Sequence, residues 1–534
     1  MTAIAGARST ERVLRSVARG ALPLAVGIVI WWVVAWAASD LRVIPTPPEV
    51  VSAFVGDLRV LPVNVGATLA NAAVGYLGGN LLAIAVAVLF VQLPWTERLL
   101  MRVAVMSFCI PLVAITPILV VVFAGDTPKQ ILAGLSVFFT TLIACLLGLR
   151  SVTGSTVDLI VSMGGRSGTV LRKARLKAML PSLFSGLQIA APAAVLGTIL
   201  GEYLGASQGL GVQLVQSQAS FQVARTWSTA LVMSALAGVV YGVAGWIGRR
   251  ATPWVGREVS TAVGQHVASE ARLSGGRSIL SGAGGVVGTL LIVVVAWWGL
   301  IALLGLDPYF AKTPADVFSY LFLSVDADDH RATILNGLVI TLRDAAVGYV
   351  IGSAAACAIA LLIAVSPLAE RFIMPGAVVM RSIPLVAMTP LLALVFGRGL
   401  LGVTVIVSLV TFFPTLVTVA AGLRSTPVVA VDVVRSMGGG ESLATRKVRI
   451  PYALPALFAA ARVAIPGAIA GATLAEWLAT GEGLGSMLVR DFAASRFNDL
   501  WAETVVILTV SVAVYASIGL IERPIIRRYG TGNA

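Results

Sequence analysis

A stretch of 54 residues occurs twice in this chain, the second copy starting 274 positions after the first. Residues 158–211 align with residues 432–485 without a gap, and 22 of the 54 positions are identical. Each copy is a polar, basic segment that runs into an apolar helix of membrane-spanning length. Repeated halves carrying the same charged loop are the layout of a transporter built about a pseudo-twofold axis.

Composition supports the same class. The chain has 534 residues, of which 58% are hydrophobic and 12% charged, with a mean hydropathy of +0.93. Soluble domains carry about twice that share of charge, so a polytopic membrane protein is the class that fits. Cys109, Cys145 and Cys357 all fall in apolar runs and offer no disulfide framework. The two histidines, His266 and His330, stand in polar connections without metal-ligand spacing. The first apolar run, residues 21–38, continues into further membrane pattern and reads as a signal anchor rather than a cleaved leader.

A span needs about 20 apolar residues, and twelve candidates emerge, six per half. The first half places them near 21–38, 66–91, 100–124, 129–149, 181–204 and 227–248. The second places them near 283–305, 335–366, 371–397, 400–422, 455–479 and 502–522. Residues 1–250 thus form a first half and 281–534 a second. The polar linker 251–280, a fusion tether, joins them. With the N-terminus in the cytoplasm, 27 of the 38 Lys and Arg fall on the inner side and 9 on the outer. That asymmetry orients the chain with both termini inside. It also accounts for the net charge of +13 without nucleic acid.

The duplicated loops are 150–180 and 423–454. In the first, Asp158 is followed by Met163-Gly164-Gly165, then Arg172, Lys173 and Arg175, then Leu180-Pro181. The second has Asp432, Met437-Gly438-Gly439, then Arg446, Lys447 and Arg449, then Leu454-Pro455. Paired glycines permit a tight turn, and Pro181 and Pro455 suit the first turn of the next helix. The expected product is one helix–turn–helix shelf per half. A charged inner loop explains the Lys and Arg but not the spacing kept over the whole repeat. Two shelves suggest a partner present in two copies.

These residues resemble the EAA loop of permease subunits of binding-protein-dependent ABC importers. The matching positions are Gly164, Leu176 and Leu180-Pro181, with Gly438, Ile450-Pro451 and Leu454-Pro455. Ile110-Pro111-Leu112 with Thr116-Pro117, and Ile383-Pro384-Leu385 with Thr389-Pro390, narrow the likeness to taurine, aliphatic sulfonate and nitrate-type permeases. Ala73-Val74-Gly75-Tyr76, Ala346-Val347-Gly348-Tyr349 and Phe412-Phe413-Pro414 add to it, as do the Gly-Leu-Gly segments after Glu202 and Glu476. The family's Glu-Ala-Ala is replaced by Asp158-Leu159-Ile160 and Asp432-Val433-Val434, and Lys177 stands where a loop proline is usual. These departures make the two docking surfaces inequivalent.

The resemblance implies an all-α, type I importer fold of about twelve helices in a bacterial inner membrane. It implies two ABC ATPase subunits as partners, with ATP-Mg bound to them, and an extracytoplasmic solute-binding protein. No G-x-x-x-x-G-K-[ST] segment is present, so this chain is expected to bind no nucleotide, metal or cofactor and to be no enzyme itself. Coupling to the ATPases then falls to Asp158, Gly164, Gly165, Arg172, Lys173, Arg175, Asp432, Gly438, Gly439, Arg446, Lys447 and Arg449. Polar groups and proline breaks inside spans are functional candidates. Pro111, Pro117, Pro384, Pro390, Glu202, Glu476, Arg343, Arg381 and Arg462 are therefore candidates for the pathway or gate. The arginines either line a cavity for an anion or pair with carboxylates to hold helices together. Asn71 and Asn80 read as interhelical hydrogen-bond groups. The solute expected is a small sulfonate, nitrate or vitamin precursor moved by alternating access. A fused iron(III)- or thiamine-type permease and a twelve-span secondary transporter are the alternatives.

Overall fold

In lipid a backbone must satisfy its own polar groups, and a helix does so within one segment. The computed structural model describes residues 27–29, 31–37, 39, 43–254, 283–366, 369–370, 373–374 and 385–529, and every regular element among them is helical. In the first half these are α1 (Pro47–Gly56), α2 (Leu61–Gln92), α3 (Pro94–Cys109), α4 (Leu112–Val122), α5 (Thr127–Arg150), α6 (Gly154–Ser162), α7 (Ser167–Gly205), α8 (Leu210–Ala219) and α9 (Val223–Ala251). The second half follows with α10 (Ala283–Leu304), α11 (Pro314–Phe322), α12 (Ala327–Val365), α13 (Leu385–Phe396), α14 (Leu400–Arg424), α15 (Val428–Ser436), α16 (Glu441–Thr480), α17 (Gly483–Ala493) and α18 (Phe497–Tyr529). Among the described residues, eight helices are long and apolar enough to cross a membrane, and α3 with α4 makes a ninth span bent by 96°.

The halves share one plan. In the first, α5 packs between α2 and α7; in the second, α14 packs between α12 and α16. Small residues permit the close approach. A Cβ on Gly79 of α2 would lie 2.5 Å from the Gly134 carbonyl oxygen of α5, and one on Gly352 of α12 would lie 2.6 Å from that of Ser408 in α14. Asn71 accepts from Gln130 at 3.0 Å and Asn80 accepts from Thr141, so both asparagines bridge α2 to α5. The first and last spans of each half meet through tryptophans. Trp31 stacks on Trp227 at 6.0 Å between ring centres, and Trp297 on Trp501 at 5.4 Å.

Three features depart from the sequence reading. The third span is two helices rather than one, because Pro111 lacks the N–H that would carry the helix through. The basic segment after each glycine pair forms no separate helix. It opens the next span, so Pro181 and Pro455 lie inside α7 and α16 and not in a first turn. Besides α6 and α15 of the shelves, four short helices, α1, α8, α11 and α17, lie outside the twelve apolar runs. Two carry a readable start signal: Thr46 and Thr313 each precede a proline and form capping boxes with Glu49 and Asp316. Residues 255–280 of the linker lie outside the described residues.

Candidate functional site: the paired shelves and the wall between the halves

Each shelf is built around one backbone turn. Gly164 has φ +82° and Gly438 φ +81°, a left-handed conformation that costs a side-chain-bearing residue about 1–2 kcal/mol. Gly164 N–H bonds Val161 O at 2.9 Å and Gly165 N–H bonds Ile160 O at 2.8 Å, the Schellman pattern that ends α6. Gly438 to Arg435 at 3.0 Å and Gly439 to Val434 at 2.9 Å repeat it at the end of α15. After the turn, α7 and α16 open with matching π-helical segments, Leu171–Arg175 and Thr445–Arg449. Such wide turns are rare and gather at functional sites.

The sequence draws attention to the basic residues, but the exposed tip of each shelf is apolar. Met163 is 80% exposed and Met437 83%, with Leu159 and Val433 bare on the preceding helix. Polarisable, flexible methionine suits adaptable contact surfaces. Arg172, Lys173, Arg446 and Lys447 flank the tips and are exposed. Arg449 turns back instead, donating to Ala364 O at 2.9 Å and to Glu441 at 3.1 Å, and so braces the shelf against the end of α12. Arg175 is only partly exposed. The shelves differ in charge wiring. Arg435 of the second bonds Asp432 and Glu441, whereas the first has Val161 and Ser167 at the places of Arg435 and Glu441.

At the far end of α7, Glu202 is 1% exposed. It accepts from Thr68 Oγ1 at 2.7 Å and from Gly211 N–H at 2.8 Å, while Thr68 accepts from Leu210 N–H at 3.0 Å. Glu476 of α16 is fully buried and accepts from Thr341 Oγ1 at 2.8 Å and Gly485 N–H at 2.9 Å. Both carboxylates thus hold the Gly-Leu-Gly turn that starts the next short helix. Truncating Glu202 to Ala leaves the Gly211 N–H buried and unmet. Thermal unfolding in detergent should show a loss of about 1–3 kcal/mol. Unchanged stability with lost uptake would instead assign Glu202 to the pathway.

The bent span places Pro111 and Pro117 where the halves meet. The break leaves Cys109 O without a helical partner, and Ser511 of α18 donates to it at 2.7 Å. Thr504 of α18 donates to Ala114 O at 3.2 Å. Ala114 and Ile118 sit in a core otherwise made by the second half, around Ile469, Ala472 and Leu500. In return Leu474 and Trp477 of α16 pack into the first half, where Trp477 meets Tyr203 edge-on at 6.2 Å. Sequence reasoning missed Ser511 and Thr504; lone hydroxyls in an apolar span were the available signal.

Arg343 and Arg462 have carboxylate partners. Arg462 of α16 pairs with the buried Glu522 of α18 at 3.2 Å and bonds Tyr515. Arg343 pairs with its neighbour Asp344 at 2.8 Å. Pro390 lies in α13. Arg381 and Pro384 lie outside the described residues.

A helical membrane chain of two like halves, each with a turned shelf, is a transport permease. It belongs to the family described as "Binding-protein-dependent transport system inner membrane component", which matches residues 79–253 and again 348–527, so two permease halves are fused here in one chain. A "Probable ABC transporter permease protein" of Haemophilus influenzae is 30% identical over 234 residues, 44% of this chain and 91% of its own length. The "Putative aliphatic sulfonates transport permease protein SsuC" of Bacillus subtilis is 26% identical over 44% of this chain and 84% of its own. The "Taurine transport system permease protein TauC" of Escherichia coli is 25% identical over 38% and 74%. No solved structure gives a significant match.

Proposed function

We propose that the chain forms the whole transmembrane channel of an ATP-driven importer. Residues 1–250 and 281–534 supply its two halves, and 251–280 tether them. The shelves face the cytoplasm of a bacterial inner membrane, as do both termini, in keeping with the Lys and Arg asymmetry. Each shelf docks one ATPase subunit, which carries the ATP-Mg, and an extracytoplasmic protein delivers solute to the opposite face. The observation that carries this reading is the duplicated Gly turn with its bare methionine, 274 residues apart in sequence and built alike in both halves.

ATP-driven closure of the partners brings the shelves together. Because each shelf is continuous with α7 or α16, the movement passes directly into spans that line the boundary between halves. Alternating access follows from that rigid linkage. The solute is a small sulfonate, a related anion or a vitamin precursor; relatives are named for taurine, aliphatic sulfonates and formylaminopyrimidine. With Arg343 and Arg462 both paired to carboxylates, the anion reading rests on those names and not on unpaired positive charge.

The test is co-purification. Wild-type chain from its native membranes should bring ATPase subunits with it, and the double variant Gly164→Pro/Gly438→Pro should insert normally yet lose them. Retention of the ATPases by that variant would remove the shelves from the coupling role. Uptake in vesicles driven by an ion gradient without ATP would favour a secondary transporter.

A further inference from the structure

A cavity of about 570 Å³ opens beside the second shelf, between the end of α12 and the start of α16. Its walls are apolar on one side, where Leu361, Leu362 and Val365 meet Ile450. Leu362, Val365 and Ile450 are all exposed, so in a membrane they face acyl chains. The other side is polar and carries Thr445 and Arg446. Thr445 is 7% exposed, and its Oγ1 has no hydrogen-bond partner among the described residues. A buried hydroxyl left unmet is unusual and is met by a water, an ion or a ligand. Arg446 forms no ion pair with any described residue. Glu441 also borders the cavity, but its two oxygens are taken by Arg435 and Arg449.

The geometry points to a binding site for one anionic phospholipid of the leaflet on the shelf side. Its phosphate is held by the Arg446 guanidinium and the Thr445 hydroxyl, and an acyl chain lies along Leu362 and Val365. A basic residue at the membrane surface beside an apolar groove is the chemistry that selects such headgroups. Zwitterionic lipid offers the same tail but a compensated headgroup. The first half lacks the site: Leu171 stands where Thr445 does, packed among its neighbours, and Gln92 replaces Val365 and accepts from Ser167 at 2.6 Å. One lipid per chain is therefore expected, on one half alone. The inference needs the chain to be embedded in a membrane but not the coupling role of the shelf.

The purified full chain, equilibrated with vesicles of phosphatidylcholine alone or mixed with phosphatidylglycerol, should retain one phosphatidylglycerol in native mass spectrometry. Val365→Trp, which fills the groove, and Arg446→Gln should each weaken that retention about tenfold or more, as loss of a charge-assisted contact does. Thr445→Val should weaken it several-fold. Leu89→Trp, at the first-half position equivalent to Leu362, should leave it unchanged and serves as a control for folding. Equal retention of the two lipids would overturn the site, as would equal loss in Leu89→Trp and Val365→Trp. Displacement by inorganic phosphate alone would assign the pocket to free anion and overturn the lipid.

Discussion

Glu522→Leu is expected to cost the second half about 3–5 kcal/mol, because it takes the described carboxylate partner from the largely buried Arg462. Glu522 is 3% exposed and Arg462 is largely buried, so little water reaches either. The double variant Arg462→Met/Glu522→Leu removes both charges and keeps the volume, and should return close to wild-type stability. Thermal unfolding in detergent reads both numbers. The pattern separates two roles that sequence alone left open. A brace between α16 and α18 gives a large single-variant loss with recovery in the double. A solute-binding arginine gives wild-type stability and lost uptake in Arg462→Met/Glu522→Leu.

The second large effect is expected at the shelf tips. Met163→Asp with Met437→Asp places a charge in the centre of each docking surface. A well-packed central contact contributes about 2 kcal/mol or more, so ATPase docking at each shelf should weaken by roughly thirtyfold. Both side chains are exposed in the chain by itself, so folding and insertion should be untouched. Docking measured by pull-down, with uptake in parallel, checks this. Full docking by the double aspartate variant would move the contact surface to the flanking lysines and arginines.

The fold was largely legible because its determinants are local. Twenty or so apolar residues in lipid leave only the helix, and the apolar runs set out the plan of both halves. The Gly164 and Gly438 turns were equally readable, since only glycine takes that conformation without strain. What stayed hidden depends on distance. Pairing of Arg462 with Glu522 spans 60 residues and that of Ser511 with Cys109 spans 402, and no local pattern marks either. Glu202 could be placed in the repeat, but its donors Thr68 and Gly211 come from different helices. Thr445 was invisible for another reason. Its meaning lies in a hydrogen bond that is absent, and a hydroxyl in a basic loop looks satisfied by bulk water until the fold buries it beside α12.

The Ser511 hydroxyl on the carbonyl of Cys109 has a further consequence. A backbone group opened by a proline in one half is quenched by a side chain synthesised 402 residues later. Until that later helix arrives, the earlier bundle carries a raw polar end within the hydrocarbon. The first half expressed by itself should therefore be short-lived in the cell. A symmetric pair of first halves cannot heal the defect, because the position equivalent to Ser511 there is Ala237, which has no hydroxyl to donate. Joining both bundles in one polypeptide guarantees that the mender is always made with the wound.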